Sequence, residues 1–226
     1  ERPTPTHRVA GQWLVKGGTV LDVGCGAGAA SLPLAGRAAR LVGVDESSRL
    51  LAEFRRLAGR VAESVVTVQG RWPEVAAAVE PADVVVCANV VYNVPDLAAF
   101  ARALTERARR RVVLELTVRH PMTELNDLWM RFHGLRRPDR PTADDCAEVL
   151  DELGLNPGRN VWMAPGPPAR MTRAEMVALT RRRLCLAADR DAEVASAIAP
   201  WFAEDGSSTL PPRQVVTLDW EGQASS

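Results

Sequence analysis

Lysine is almost missing from this chain. Lys16 is the only one among 28 basic side chains, so arginine carries nearly all the positive charge. Any chemistry that needs a lysine has Lys16 alone to use, and Lys16 precedes the first core strand. Net charge is missing too: 28 acidic residues balance 28 basic ones. That argues against a nucleic-acid partner, which selects a basic excess or stripe. No apolar run nears the roughly 20 residues of a membrane span. No charged-then-apolar leader opens the chain, so no signal peptide is expected. Cys25, Cys87, Cys146 and Cys185 are the only cysteines, and none has metal-ligand spacing. No metal site is expected, and unclustered thiols without a leader predict a reduced, cytoplasmic setting. There is no internal repeat, and no low-complexity tract beyond an Ala/Arg bias.

What is present is alternation. The 226 residues suit a single domain over 1–226 with its own core. A short helix is expected over 7–15, and strands over 19–23, 40–45, 64–69, 83–88 and 111–118. Helices are expected between them over 29–39, from Ser47 or Ser48 to about Arg60, over 73–79 and over 95–109. Such alternation implies crossover units and a mostly parallel sheet. The second half departs from it. Helices are expected over 121–134, 142–153 and 172–186, where Thr142 with Asp145 and Thr172 with Glu175 form capping boxes, and over 191–202. Strands are expected over 159–164 and 214–220. This gives a core over 15–164 and 214–220, with helical cap elements at 121–134 and 172–202. The stretch Pro165-Gly166-Pro167-Pro168 marks where the extra helical pair leaves the sheet.

Most of the functional information lies in Val20-Leu21-Asp22-Val23-Gly24-Cys25-Gly26-Ala27-Gly28. Glycines allow a sharp turn after the first strand and let backbone N–H groups approach a ligand closely. Asp45 ends the next strand, where a carboxylate can accept hydrogen bonds from both hydroxyls of a ribose. Gly24-x-Gly26-x-x-Ala29 also satisfies the relaxed dinucleotide fingerprint, so a hydride-transferring dehydrogenase has to be weighed. Asp22 counts against it. A charge two residues before Gly24 would sit beside the ligand, where it suits an ammonium or sulfonium and repels a pyrophosphate.

With these motifs the chain resembles the class I S-adenosylmethionine (SAM) dependent methyltransferases, and is similar to the bacterial ubiquinone/menaquinone C-methyltransferase-like group. The resemblance covers roughly 15–118. It rests on the glycine-rich run, on Val42-Gly43-Val44-Asp45, and on the fourth-strand segment from Ala82 to Val94. It implies an α/β, Rossmann-like, seven-stranded and mostly parallel sheet, with helices on both faces and added helices near the substrate edge. The last strand would run antiparallel. It implies SAM as cofactor and S-adenosylhomocysteine (SAH) as product. Gly24, Cys25 and Gly26, with Gly28 closing the motif, would hold the methionyl part, and Asn89 and Val90 would contact its end. Asp45 would hold the ribose, with Glu46 beside the adenine. Gly70, Arg71 and Trp72 would line the adenine, where family members commonly carry an acid that is missing here. Trp72 also reads as a packed core aromatic, and Asn89 as a loop-capping amide.

Ligands of open α/β sheets sit at the carboxyl ends of the strands. Tyr92 and His120 follow strands four and five, which makes them the catalytic candidates. His120, with an unperturbed pKa near 6.5, is the best candidate base, although it also reads as a loop cap beside Pro121. Glu115 reads as a structural carboxylate or a site residue. Met122, Trp129 and His133 are the acceptor-binding candidates, and the apolar stripe they border also reads as core. The reading is methyl transfer to a small, partly apolar molecule. Its rivals are an RNA or protein methyltransferase and a non-catalytic SAM-binding protein.

Overall fold

The computed structural model of the chain describes residues 3–164, 171–203 and 212–224. The stretch Pro165-Gly166-Pro167-Pro168 lies outside them. The strands are β1 (Gly18–Val23), β2 (Ala38–Asp45), β3 (Ser64–Gln69), β4 (Ala82–Ala88), β5 (Ala108–Thr117), β6 (Gly158–Ala164) and β7 (Arg213–Glu221). They form one seven-stranded sheet in the order β3-β2-β1-β4-β5-β7-β6. The β3-β2-β1-β4-β5 pairs are parallel, and β7 runs antiparallel to β5. This is the expected Rossmann-like architecture, including its reversed last strand. The order turns back between β1 and β4, and open sheets of this kind bind ligands outside such a switch point.

Both faces of the central strands are buried, which is why they read as unbroken apolar runs rather than alternating ones. Leu21, Val23, Val85, Val112 and Leu114 belong to one core with Phe100 and Leu104 of α3 (Leu97–Arg107) and Leu150 of α5 (Ala143–Glu152). Val20, Val84, Val86 and Val113 belong to another. That core includes Ala10 of α1 (Pro5–Trp13) and Leu51 and Phe54 of α2 (Ser48–Ala58). Ser47 caps α2 by accepting from the Leu50 N–H.

The helix expected over 29–39 does not form. Turns and a single 3-10 turn at Leu32–Leu34 occupy the interval, and β2 starts at Ala38. Pro33 removes a backbone donor. Ser31 sends its hydroxyl to the Asp22 carboxylate instead of solvent. The segment over 73–79 likewise contracts to a 3-10 turn at Ala76–Ala78.

The chain divides into two compact units. One is Glu1–Val118 with Pro141–Trp162 and Val215–Ser226, and the other is Arg119–Arg140 with Met163–Gln214. Both segments read as cap elements fall in the second unit. That unit has a core of its own, with Leu125, Leu128, Met176, Leu184, Val194 and Ile198 buried together. It contains α4 (Asn126–His133), α6 (Arg173–Arg183) and α7 (Asp191–Ala197). The capping boxes of α5 and α6 form as the sequence indicates. Among the described residues no helix is long and apolar enough to cross a membrane.

Within the first unit, α1 is tied to the sheet by a buried polar contact. The Thr6 and Thr217 hydroxyls lie 2.7 Å apart, and the Trp162 indole N–H donates to Thr217 Oγ1 at 3.1 Å. Thr217 is fully buried. Thr217→Val keeps the shape but strands both partners, and should cost about 1–3 kcal/mol in urea unfolding. Thr217→Ser should recover most of the loss. Equal midpoints for the Val variant and the parent would remove this contact from the sources of stability.

Candidate functional site

The turn after β1 hangs on the end of β2. Gly24 and Cys25 both donate their N–H groups to Val44 O, at 2.8 and 3.0 Å. The Gly26 N–H donates to Asp45 Oδ2 at 2.9 Å, while Asp45 Oδ1 accepts from the Ser47 N–H at 2.8 Å. Gly24 has φ +68°, and a Cβ there would lie 2.3 Å from Val90 Cγ2. Only glycine lets the β1 and β4 loops approach so closely. Gly26 has φ +50°, and nothing lies within 4 Å of where its Cβ would be. The space in front of Gly26 is open, as a ligand cradle requires.

Gly24 is a shared wall of two cavities. The larger, of about 600 Å³, is lined by Asp45, Glu46, Gly70, Arg71, Trp72 and Val90. The smaller, of about 210 Å³, is lined by Asp22, Cys25 and Asn89. Most of the residues singled out as cofactor-binding therefore gather around one turn. Gly26 and Gly28 line neither cavity; the Cβ side of Gly28 is filled by Leu32 and Phe54. The structure adds residues that the sequence left unmarked or undecided. Glu74, Asp96 and Phe100 line the larger cavity. Thr4, His7 and Glu115 line the smaller. Asp96 also caps α3, accepting from the Ala99 N–H at 2.9 Å.

Asp22 is 1 % exposed and accepts the Ser31 hydroxyl at 2.5 Å. Burial pushes its carboxyl up to about 7; the Ser31 hydrogen bond opposes the shift and the nearby Asp45 charge adds to it. The charge expected to stand beside a ligand is therefore partly neutralised by a proton at neutral pH. Burial raises the Cys25 thiol far above its ordinary value, with Asp22 and Asp45 adding to the effect, which disfavours its thiolate. Arg71 donates to Glu46 Oε1 at 2.9 Å. Trp72 is both cavity wall and core: it is 7 % exposed, and its indole N–H donates to Phe100 O at 3.4 Å.

The acid–base candidates are already engaged. The Tyr92 hydroxyl accepts from the Thr117 N–H at 2.6 Å and donates to Asn89 Oδ1 at 3.2 Å. His120 lies in the second unit and caps the turn Pro121–Leu125, its Nδ1 accepting from the Met122 N–H at 3.0 Å. Its neutral ring therefore carries the proton on Nε2, and it has no lone pair for a base role until that cap opens. Burial, then Arg137, lowers its pKa below 6.5. Met122 and Trp129 pack against the core of the second unit. The His133 ring stacks on Trp129 with centroids 4.6 Å apart, and its Nε2 lies 2.7 Å from Leu184 O. The Trp129 indole N–H is buried without a partner among the described residues. All four cysteines are free thiols. Among the described residues no group of His, Cys, Asp and Glu could hold a metal ion.

A family model described as a methyltransferase domain matches residues 20–111. Three curated relatives that the chain matches carry the name ubiquinone biosynthesis O-methyltransferase. That of Azorhizobium caulinodans is 38 % identical over 41 % of this chain and 36 % of its own length. That of Paraburkholderia phytofirmans is 42 % identical over 38 % of each. The match thus spans a little over a third of these relatives' length. Among solved structures, the YcgJ protein from Bacillus subtilis shares the fold with a TM-score of 0.61 at 15 % identity, covering 97 % of this chain and 98 % of that one. Magnesium protoporphyrin IX methyltransferase from Synechocystis PCC 6803, solved with bound SAH, gives 0.59 at 19 % identity, covering 96 % and 80 %.

The raised carboxyl of Asp22 makes a signed prediction. The folded chain holds its proton up to about pH 7, whereas the unfolded chain loses it near the ordinary 3.8. Between these values the folded state binds more protons, so this group's contribution to stability falls as pH rises and is flat above about 7. Asp22→Asn has no such proton to lose. Its stability relative to the parent should climb between pH 4 and 7, by on the order of a few kcal/mol. Urea unfolding at several pH values measures this, and parallel profiles for the two proteins would contradict it.

Proposed function

We propose that the chain, whose residues 20–111 match a methyltransferase domain, binds SAM around Gly24 and transfers the methyl group to a small, partly apolar molecule. The observation that carries the proposal is the charge of the two cavities that share Gly24. Five carboxylates (Asp45, Glu46, Glu74, Asp96 and Glu115), together with the partly protonated Asp22, line them against the single guanidinium of Arg71. Such a lining suits a ligand with an ammonium and a sulfonium and repels a pyrophosphate. The open space before Gly26 also fits the cofactor's close backbone approach.

In this reading Asp45 holds the ribose, with lone pairs left after its two backbone bonds. Trp72 and Phe100 supply apolar walls for the adenine. Glu74 and Asp96 are the acids available to its amino group, replacing the missing acid at Arg71. When bound, the cofactor would supply a methyl group on a sulfonium for in-line transfer to a nucleophilic atom of the acceptor, with SAH as the leaving group. The protein contributes alignment, worth several kcal/mol when the reacting atoms are held in place. Tyr92 serves that alignment, because its hydroxyl fixes the loop after β4 against β5. His120 we assign to capping its turn, so the reaction proceeds without it as a base. Met122, Trp129 and His133, the acceptor-binding candidates, remain a proposal confined to the second unit, where the buried Trp129 N–H is unpaired among the described residues. The relatives' name, with ubiquinone in it, supports a small acceptor with apolar character.

Titration calorimetry tests the core of this reading. The protein should bind SAM and SAH and should not bind NAD. Asp45→Asn should weaken SAM, SAH and 5′-methylthioadenosine alike, by about 1.5–3 kcal/mol, since all three carry the ribose. Tight NAD binding without SAM binding would overturn the reading. His120→Ala should leave turnover within about twofold, whereas loss of a general base typically costs about 100-fold or more.

A further inference from the structure

We propose that Glu115, rather than Asp22, supplies the charge that holds the α-ammonium of the cofactor's methionyl half; this rests on the SAM reading. Asp22 pairs with Val86 across β1 and β4, and Ala88 with Glu115 across β4 and β5. The alternation of strands puts Asp22, Ala88 and Glu115 on the α1 face of the sheet, the face of Val20, Val86 and Val113. All three line the 210 Å³ pocket. That pocket shares Gly24 with the cleft assigned to adenosine, so it is where the methionyl chain would run.

The other polar groups of the pocket are committed. Asp22 is buried and holds the Ser31 hydroxyl. The His7 ring accepts the Thr4 N–H at Nδ1, 3.0 Å away, so its Nε2 carries the proton and donates to Ala29 O at 3.1 Å. The Asn89 amide is oriented by Tyr92, whose hydroxyl donates to Oδ1. This turns Nδ2 towards Glu115 Oε1, a long contact of 3.5 Å. Among the described residues the Glu115 carboxylate has no closer hydrogen-bond donor and no ion pair. Glu115 is therefore the one carboxylate of this pocket with most of its acceptor capacity unused, and an ammonium with three donors is its complement. Tyr92 and Asn89 act through it, as positioning residues.

The experiment uses the full chain and three ligands: SAH, 5′-methylthioadenosine, which lacks the amino-acid head, and the SAH analogue with hydroxyl in place of ammonium. Glu115→Gln should weaken SAH binding by about ten- to a hundredfold and leave methylthioadenosine within about twofold. On the unaltered protein, the hydroxyl analogue should bind about ten- to a hundredfold more weakly than SAH. Equal affinity for SAH and its hydroxyl analogue overturns the proposal whatever the variant does. So does a Glu115→Gln protein that loses both SAH and methylthioadenosine equally, or neither. Failure of the unaltered protein to bind SAH at all would instead defeat the SAM reading itself.

Discussion

Everything at the candidate site depends on one steric fact: there is no room for a side chain at Gly24. The Val90 methyl group occupies the space a Cβ would need, so the Val90 side chain of the loop after β4 packs directly on the bare backbone of the turn after β1. That contact fixes the floor shared by both cavities. The turn is then suspended from β2 by two N–H bonds to one carbonyl, Val44 O. Asp45 continues the suspension by taking the Gly26 N–H with one oxygen and the Ser47 N–H with the other. One carboxylate thus links the glycine-rich turn to the start of α2, while keeping capacity for a ligand.

The sheet was legible because its central strands are buried on both faces, leaving runs such as Val84-Val85-Val86 with no polar interruption. The glycine-rich run and Asp45 were legible for a related reason, since backbone geometry limits which residues can stand there. The helix after the turn was not legible. Its apolar content suited a helix, but the interval from Gly28 to Ala38 carries Pro33 and diverts Ser31 to a buried acid. Local propensity lost to a tertiary hydrogen bond. Glu115 was ambiguous for a different reason: a single acid in a strand gives no sign of which neighbours sit on its face. Only the register with Ala88 and Thr217 resolves that.

Asp22 shows how burial can invert a motif-based expectation. Its position suggests a charge offered to the ligand. Yet a carboxylate with about 1 % exposure has lost its hydration, and a single serine hydroxyl does not replace it. The result is a group poised near neutrality. A cation arriving nearby would draw its proton off, so Asp22 responds to ligand charge more than it recruits it. A less buried partner on the same face is then needed for recruitment, and the half-buried Glu115 occupies that position.

The commitment of the side chains also bears on chemistry. Tyr92 is the only tyrosine in the chain, and its hydroxyl spends its hydrogen bonds on Thr117 and Asn89. His7 and His120 each have a ring nitrogen held by a backbone N–H. A reaction that required strong base catalysis would be poorly served by such groups, because freeing a lone pair means breaking a local cap. Displacement at a sulfonium methyl makes a different demand. Its barrier is lowered chiefly by holding donor and acceptor in line, and that is what pinned hydroxyls, capped turns and a suspended glycine loop provide. In the proposed reading, the pinned hydroxyl and imidazole groups serve alignment rather than proton transfer.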